Sequence, residues 1–123
     1  MHSCLRIVIL LVAVSPTVAV AQSGSVSSPL SPKEARANMG QNVVIEGIAW
    51  VHDAERREGF YIDLNGKGPS APFAGYIPEE DMAQFPGLNK IEGKTVDIMG
   101  VVQFRNGTPI IKMTDAHQLR VVR

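Results

Sequence analysis

Two tyrosines and a scatter of cations are the residues of this 123-residue chain whose types and spacing could do chemistry. Tyr61 lies in Phe60-Tyr61-Ile62-Asp63-Leu64 and Tyr76 in Phe73-Ala74-Gly75-Tyr76-Ile77. A period of two is the strand signal, so Tyr61 and Asp63, like Ala74 and Tyr76, should face away from the apolar side of their strands. Basic residues surround these runs: Arg56 and Arg57 before the first, Lys67 between them, Arg105 and Lys112 later. Aromatic faces beside guanidinium and ammonium groups suit single-stranded nucleic acid, which needs a π surface for each base and a cation for each phosphate. Stacking contributes about 1–3 kcal/mol per base, so two tyrosines alone give weak binding. Trp50 is a further candidate platform, although the area an indole buries favours a core or barrel-end position. Two bland readings stand beside this one. Tyrosine packs well on any half-exposed pleated surface, and Glu55-Arg56-Arg57-Glu58 can neutralise itself as a solvated turn.

Other chemistries find little support. His52 and His117 have no companions at ligand spacing, which argues against a metal site. Gly66-Lys67-Gly68 lacks the length and the Ser/Thr of a phosphate-binding loop, and no G-x-S-x-G motif is present. A nuclease would need a carboxylate pair with arginines around a cation. Asp53, Asp63 and Asp97 are available, but nothing in the order of residues places them together, and Asp97 reads as a solvent-exposed strand position. The expectation is a binding module, not an enzyme, with no cofactor.

The elements that must position these residues are legible from local patterns. Gly93 to Met113 reads as two antiparallel strands, with Val96, Ile98 and Gly100 alternating in the first and Ile110, Ile111 and Met113 forming the second apolar run. Between them Asn106-Gly107 accepts the positive φ of a tight hairpin turn. That turn also accounts for the Asn-Gly-Thr triplet, so a glycosylation role for Asn106 is set aside. Asn42 to Val51 is a first strand, in which Gly47 marks a bend where one strand serves both halves of a curled sheet, matched by Gly100. Phe60–Leu64 and Phe73–Ile77 are the second and third. Ser31-Pro32-Lys33-Glu34 has the cap, proline and acid of a helix start, giving a short plug ending at Gly40. Pro78-Glu79-Glu80-Asp81 opens another short helix that carries Met82, Phe85 and Leu88 inward before Pro86-Gly87 closes it. Leu119, Val121 and Val122 form a sixth extended piece or continue the fifth strand.

Residues 1–21 combine Arg6, an apolar run from Ile7 to Val14 and the small residues Ala19-Val20-Ala21, which predicts a cleavable export signal and not a membrane anchor. Residues 22–32, rich in Ser, Gly and Pro, predict a flexible tether, leaving residues 33–123 as the folded domain. The location implied is periplasmic or secreted. Cys4, the one cysteine, lies inside the signal segment, so the mature chain has no disulfide or thiolate metal site. Twelve basic residues balance 12 acidic ones, and removal of Arg6 leaves a net charge of −1. A broadly basic footprint for nucleic acid is absent, so any such binding needs a local patch.

Three meander strands, a helix between strands 3 and 4 and a closing hairpin make an all-β, five-stranded Greek-key barrel of the OB-fold type. The pattern Gly93-Lys94-x-Val96-x-Ile98-x-Gly100-x-Val102, Gly107-x-Pro109-x-Ile111 and Gln118-Leu119-x-Val121 resembles the fourth and fifth strands of nucleic-acid-binding OB-fold domains, including small exported bacterial proteins made of this one domain. The resemblance implies a ligand face centred on strands 2 and 3, with Tyr61, Tyr76, Trp50, Arg56, Arg57, Lys67, Arg105 and Lys112 as its candidate residues. It implies single-stranded nucleic acid as the ligand; separately, a monomer is expected. The alternative is the same barrel holding a protein or a small ligand of the cell envelope.

Overall fold

The computed structural model describes residues 28–53 and 59–123. The export signal, most of the tether and the arginines Arg56 and Arg57 lie outside the described residues. Six strands form: β1 (Asn42–Asp53), β2 (Gly59–Leu64), β3 (Phe73–Pro78), β4 (Thr95–Arg105), β5 (Thr108–Lys112) and β6 (Leu119–Val121). Their order is β1-β2-β3-β5-β4, and β4 pairs back onto β1, which closes a five-strand ring. All contacts around the ring are antiparallel except β3 with β5, which run parallel. The fold is therefore all-β and barrel-like. The C-terminal piece is a separate strand, β6, hydrogen-bonded to β4 outside the ring.

Two glycines let long strands turn the corner. Strand β1 pairs with β4 through Ile48 and with β2 from Ala49 onward. At that switch a Cβ on Gly47 would stand 2.9 Å from both Pro32 Cγ and Asn65 Oδ1, so the requirement is close approach. Strand β4 passes from β1 to β5 beyond Gly100, whose φ of +149° is one that side chains disfavour. The Asn106-Gly107 turn has φ of +53° and +82°, the two positive values of a twist-matched hairpin.

The inward residues of the ring, including Ile45, Ile62, Leu64, Phe73, Ile77, Ile98 and Ile111, are fully buried. Short 3-10 turns stand where α-helices were predicted. Pro32–Asn38 closes one end of the ring with Ala35 buried, and Glu34 Oε1 accepts the Ser31 backbone N–H at 2.8 Å. Between β3 and β4 lie Glu79–Gln84 and Leu88–Lys90, with Phe85 and Leu88 in the core and Met82 packed against it. Segments of three to seven residues gain too few α-type bonds to offset helix nucleation, and proline and glycine interrupt them. The end of the predicted tether belongs to the fold: Leu30 donates to Val44 O and accepts from the Glu46 N–H, and Pro32 is fully buried. Leu30 packs on the core, which gives it reason to leave solvent. Among the described residues no helix is long and apolar enough to cross a membrane.

Asp97, expected in solvent, is fully buried. The cause is β6, which lays Arg120 beside it so that Arg120 Nη2 donates to Asp97 Oδ2 at 2.6 Å. On the other side Glu46 is its register partner on β1. Among the described residues no hydrogen-bond partner reaches Asp97 Oδ1, and the Glu46 carboxyl, its register partner, is the group placed to donate to it when protonated. Accordingly Glu46 is raised above its ordinary 4.5, first by the hydrogen bond to Asp97 and then by burial and the Asp97 charge, while Arg123 and Arg120 pull it down. A carboxyl raised in the folded state gives stability that is complete below 4.5 and is lost as pH climbs through the raised value. Glu46→Gln keeps a donor toward Oδ1 without a proton to lose. It is expected to melt a few degrees above wild type at pH 7 and to lose the pH dependence that wild type shows above pH 4.5. Thermal melts of both proteins across pH check this, and a lower midpoint for the variant at pH 7 contradicts it.

Candidate functional site

The outer wall formed by β1, β2 and β3 carries the candidate residues, because strand alternation turns Trp50, His52, Tyr61, Asp63, Ala74 and Tyr76 away from the core. Register then sets them in two rungs. His52 lies opposite Tyr61, Tyr61 opposite Tyr76, and Tyr76 opposite Lys112. One step along, Trp50 lies opposite Asp63, Asp63 opposite Ala74, and Ala74 opposite Ile110.

The first rung is a run of rings. His52 stacks on Tyr61 with centroids 5.6 Å apart, and Tyr61 meets Tyr76 at 5.2 Å with the planes tilted by 39°. At the far end the Arg105 guanidinium covers the Tyr76 ring, 4.5 Å from its centroid. This corrects one expectation. Tyr76 faces outward but is only 8% exposed, packed with Ala74, Ile110 and Tyr61 beneath that guanidinium. The half-buried Tyr61 is the more exposed of the two tyrosines.

The second rung is polar. Asp63, 4% exposed, is held by two partners: His52 Nε2 at 3.0 Å and the Gly68 backbone N–H, which donates to Oδ2 at 2.7 Å. The buried carboxylate thus orients the imidazole beside Tyr61 and anchors the loop after β2. Trp50 is half-buried on this wall, outside the main core cluster, and Lys67 Nζ sits over its ring at 4.2 Å. That settles its placement between the two expected from sequence in favour of the outer surface.

The wall is flanked by two hollows. One, about 190 Å³, runs between Tyr61, Pro69, Arg105, Asn106 and Thr108. The other, about 290 Å³, is lined by Trp50, Lys67 and Glu92, and His52, Asp63 and Gly68 border both. The hairpin turn that supplies Arg105 and Asn106 is pinned from behind, where Arg36 Nη2 donates to Gly107 O at 3.0 Å and lies over Phe104.

Of the eight candidates, the structure gathers Trp50, Tyr61, Tyr76, Lys67, Arg105 and Lys112 on this wall, and Arg56 and Arg57 lie outside the described residues. Asp63 was expected on this face from strand alternation, but its contact with His52 and the part played by His52, Asn106 and Thr108 were not read from sequence. His52 and Asp63 meet diagonally across β1 and β2, a contact fixed by strand register. Charge on the wall is cationic among the described residues: Lys67, Arg105 and Lys112 stand against Asp63, which is already engaged, and Glu92, whose Oε1 accepts the Val51 N–H at 3.0 Å. Among the described residues no three His, Cys, Asp or Glu side chains gather as a metal site.

No family is shown by comparison. No protein-family model and no curated protein matches the chain. Among solved structures it is similar to one from Leishmania major Friedlin described as an aspartyl-tRNA synthetase, at 12% identity and a TM-score of 0.48. That match covers 85% of this chain and 23% of the other.

Proposed function

We propose that this chain is an OB-fold module that binds single-stranded nucleic acid, without catalysing a reaction, on the wall of β1, β2 and β3. The strand order β1-β2-β3-β5-β4-β1 with one parallel contact, β3 to β5, is the arrangement that supports the OB-fold assignment. One observation carries the ligand reading. The half-exposed Tyr61 ring, steadied by His52 on one side and Tyr76 on the other, opens onto a hollow edged by Arg105. A base can stack on that ring while its phosphate meets the cation. The neutral overall charge does not oppose this, since the cations that matter lie on the one wall.

The test is titration of a fluorescent single-stranded oligonucleotide at two salt concentrations. Binding is expected at low salt, weakening as salt rises with a slope near −0.7 for each phosphate contact. Absence of binding at low salt removes the reading and leaves a protein or small-ligand role for the same wall. The export signal read in residues 1–21 completes the proposal as a monomeric periplasmic or secreted protein, and the mass of the mature product, starting at Gln22, tests that part.

A further inference from the structure

The two hollows meet at a ridge made by His52, Asp63 and Gly68. Tyr61 belongs to one and Trp50 to the other, and they occupy neighbouring rungs of the same wall: His52 pairs with Tyr61, and Trp50 with Asp63, two residues along. Adjacent rungs on one face are separated by about 7 Å, twice the rise of a strand residue. That is a step one unstacked nucleotide can take.

Trp50 is half-buried, it lines a hollow, and what lies over its ring is the ammonium of Lys67, an exposed residue. An exposed cation–π contact is weaker than a base stacked on an indole, so a base can take the place of the ammonium. The released Lys67 then stands at the mouth of the hollow as a phosphate partner. Glu92, which lines the same hollow, repels a phosphate, as does Asp63 except where His52 and the Gly68 N–H engage its carboxylate, so the Lys67 side is the favourable crossing.

We propose that Trp50 is the floor of a second base-stacking subsite covered by a displaceable Lys67, so that the ligand is a strand of at least two nucleotides whose linking phosphate crosses the ridge beside His52 and Gly68. This rests on the nucleic-acid reading of the Tyr61 hollow. It predicts a length threshold that the one-base reading does not have.

The chain contains a single tryptophan, so its intrinsic emission reports this subsite alone. Thymidine mono-, di- and tetranucleotides are titrated at low salt while Trp50 emission is followed, in parallel with the anisotropy of a fluorescein-labelled tetranucleotide. The dinucleotide is expected to quench Trp50 and to bind roughly 5- to 150-fold more tightly than the mononucleotide. Trp50→Leu is expected to reduce dinucleotide affinity to the mononucleotide level while Tyr61-dependent binding persists. Anisotropy showing binding with Trp50 emission unmoved overturns the second subsite and leaves the first intact. Wild-type emission keeps that outcome readable even where Trp50→Leu folds poorly. No anisotropy change in the wild type overturns both.

Discussion

Arg120→Met is expected to lower the thermal midpoint by roughly 10–20 °C at neutral pH. Asp97 is fully buried, and Arg120 is the cation that compensates it at 2.6 Å. Breaking a buried pair by removing one partner costs about 3–5 kcal/mol, because the other charge is left in a low dielectric. Arg120 is itself 68% exposed and Glu46 can lend a proton, so we discount the figure to about 2–3 kcal/mol. The pH dependence identifies the cause. Arg120 holds the raised Glu46 carboxyl down, so its loss lifts that carboxyl further and deepens the penalty as pH rises. Acidification, which protonates Glu46, is expected to narrow the gap from wild type. Thermal melts at pH 5 and pH 8 decide the matter: equal losses at both values, or none, would show that the buried carboxylate is compensated elsewhere.

The largest functional effect is expected at Tyr61. Its replacement by Ala removes the more exposed tyrosine ring of the wall and should weaken oligonucleotide binding roughly 5- to 150-fold, the range of one lost base–aromatic contact. Arg105→Ala behaves differently, because that side chain both offers a cation and roofs Tyr76. Removing it lowers the salt slope by about 0.7 while uncovering a second ring. Binding should therefore fall at low salt and converge with wild type as salt rises. Tyr76→Ala, behind the same roof, should affect binding less than Tyr61→Ala. A Tyr61→Ala protein that binds as well as wild type would move the site off this wall altogether.

What the sequence disclosed and what it hid divide along a physical line. The hairpin was legible because Asn106-Gly107 states its own backbone conformation, and the bends at Gly47 and Gly100 were legible because a bare Cα inside a strand asks for a reason. The alternation that put Tyr61 and Tyr76 on one face is likewise a local signal. The burial of Tyr76 was not, since it depends on a guanidinium arriving from the β4–β5 turn, 29 residues further along. The same holds for Asp97, which looks like a solvent position until the last strand brings Arg120 alongside. His52 and Asp63 needed the β1–β2 register, and Leu30 needed the groove beside β1 that the completed ring creates. Composition misled there, since the serines and prolines around Leu30 suggested a free linker.

The way the ring closes also governs how it must assemble. Strands β4 and β5 are neighbours in sequence and can pair locally, but β4 must then find β1, and β5 must lie parallel to β3, across long intervening stretches of chain. The entropy of closing those loops has to be overcome before the interior residues gain their contacts. Folding is therefore expected on the millisecond-to-second scale typical of non-local β topologies, with docking of the β4–β5 hairpin onto β1 as the slow event.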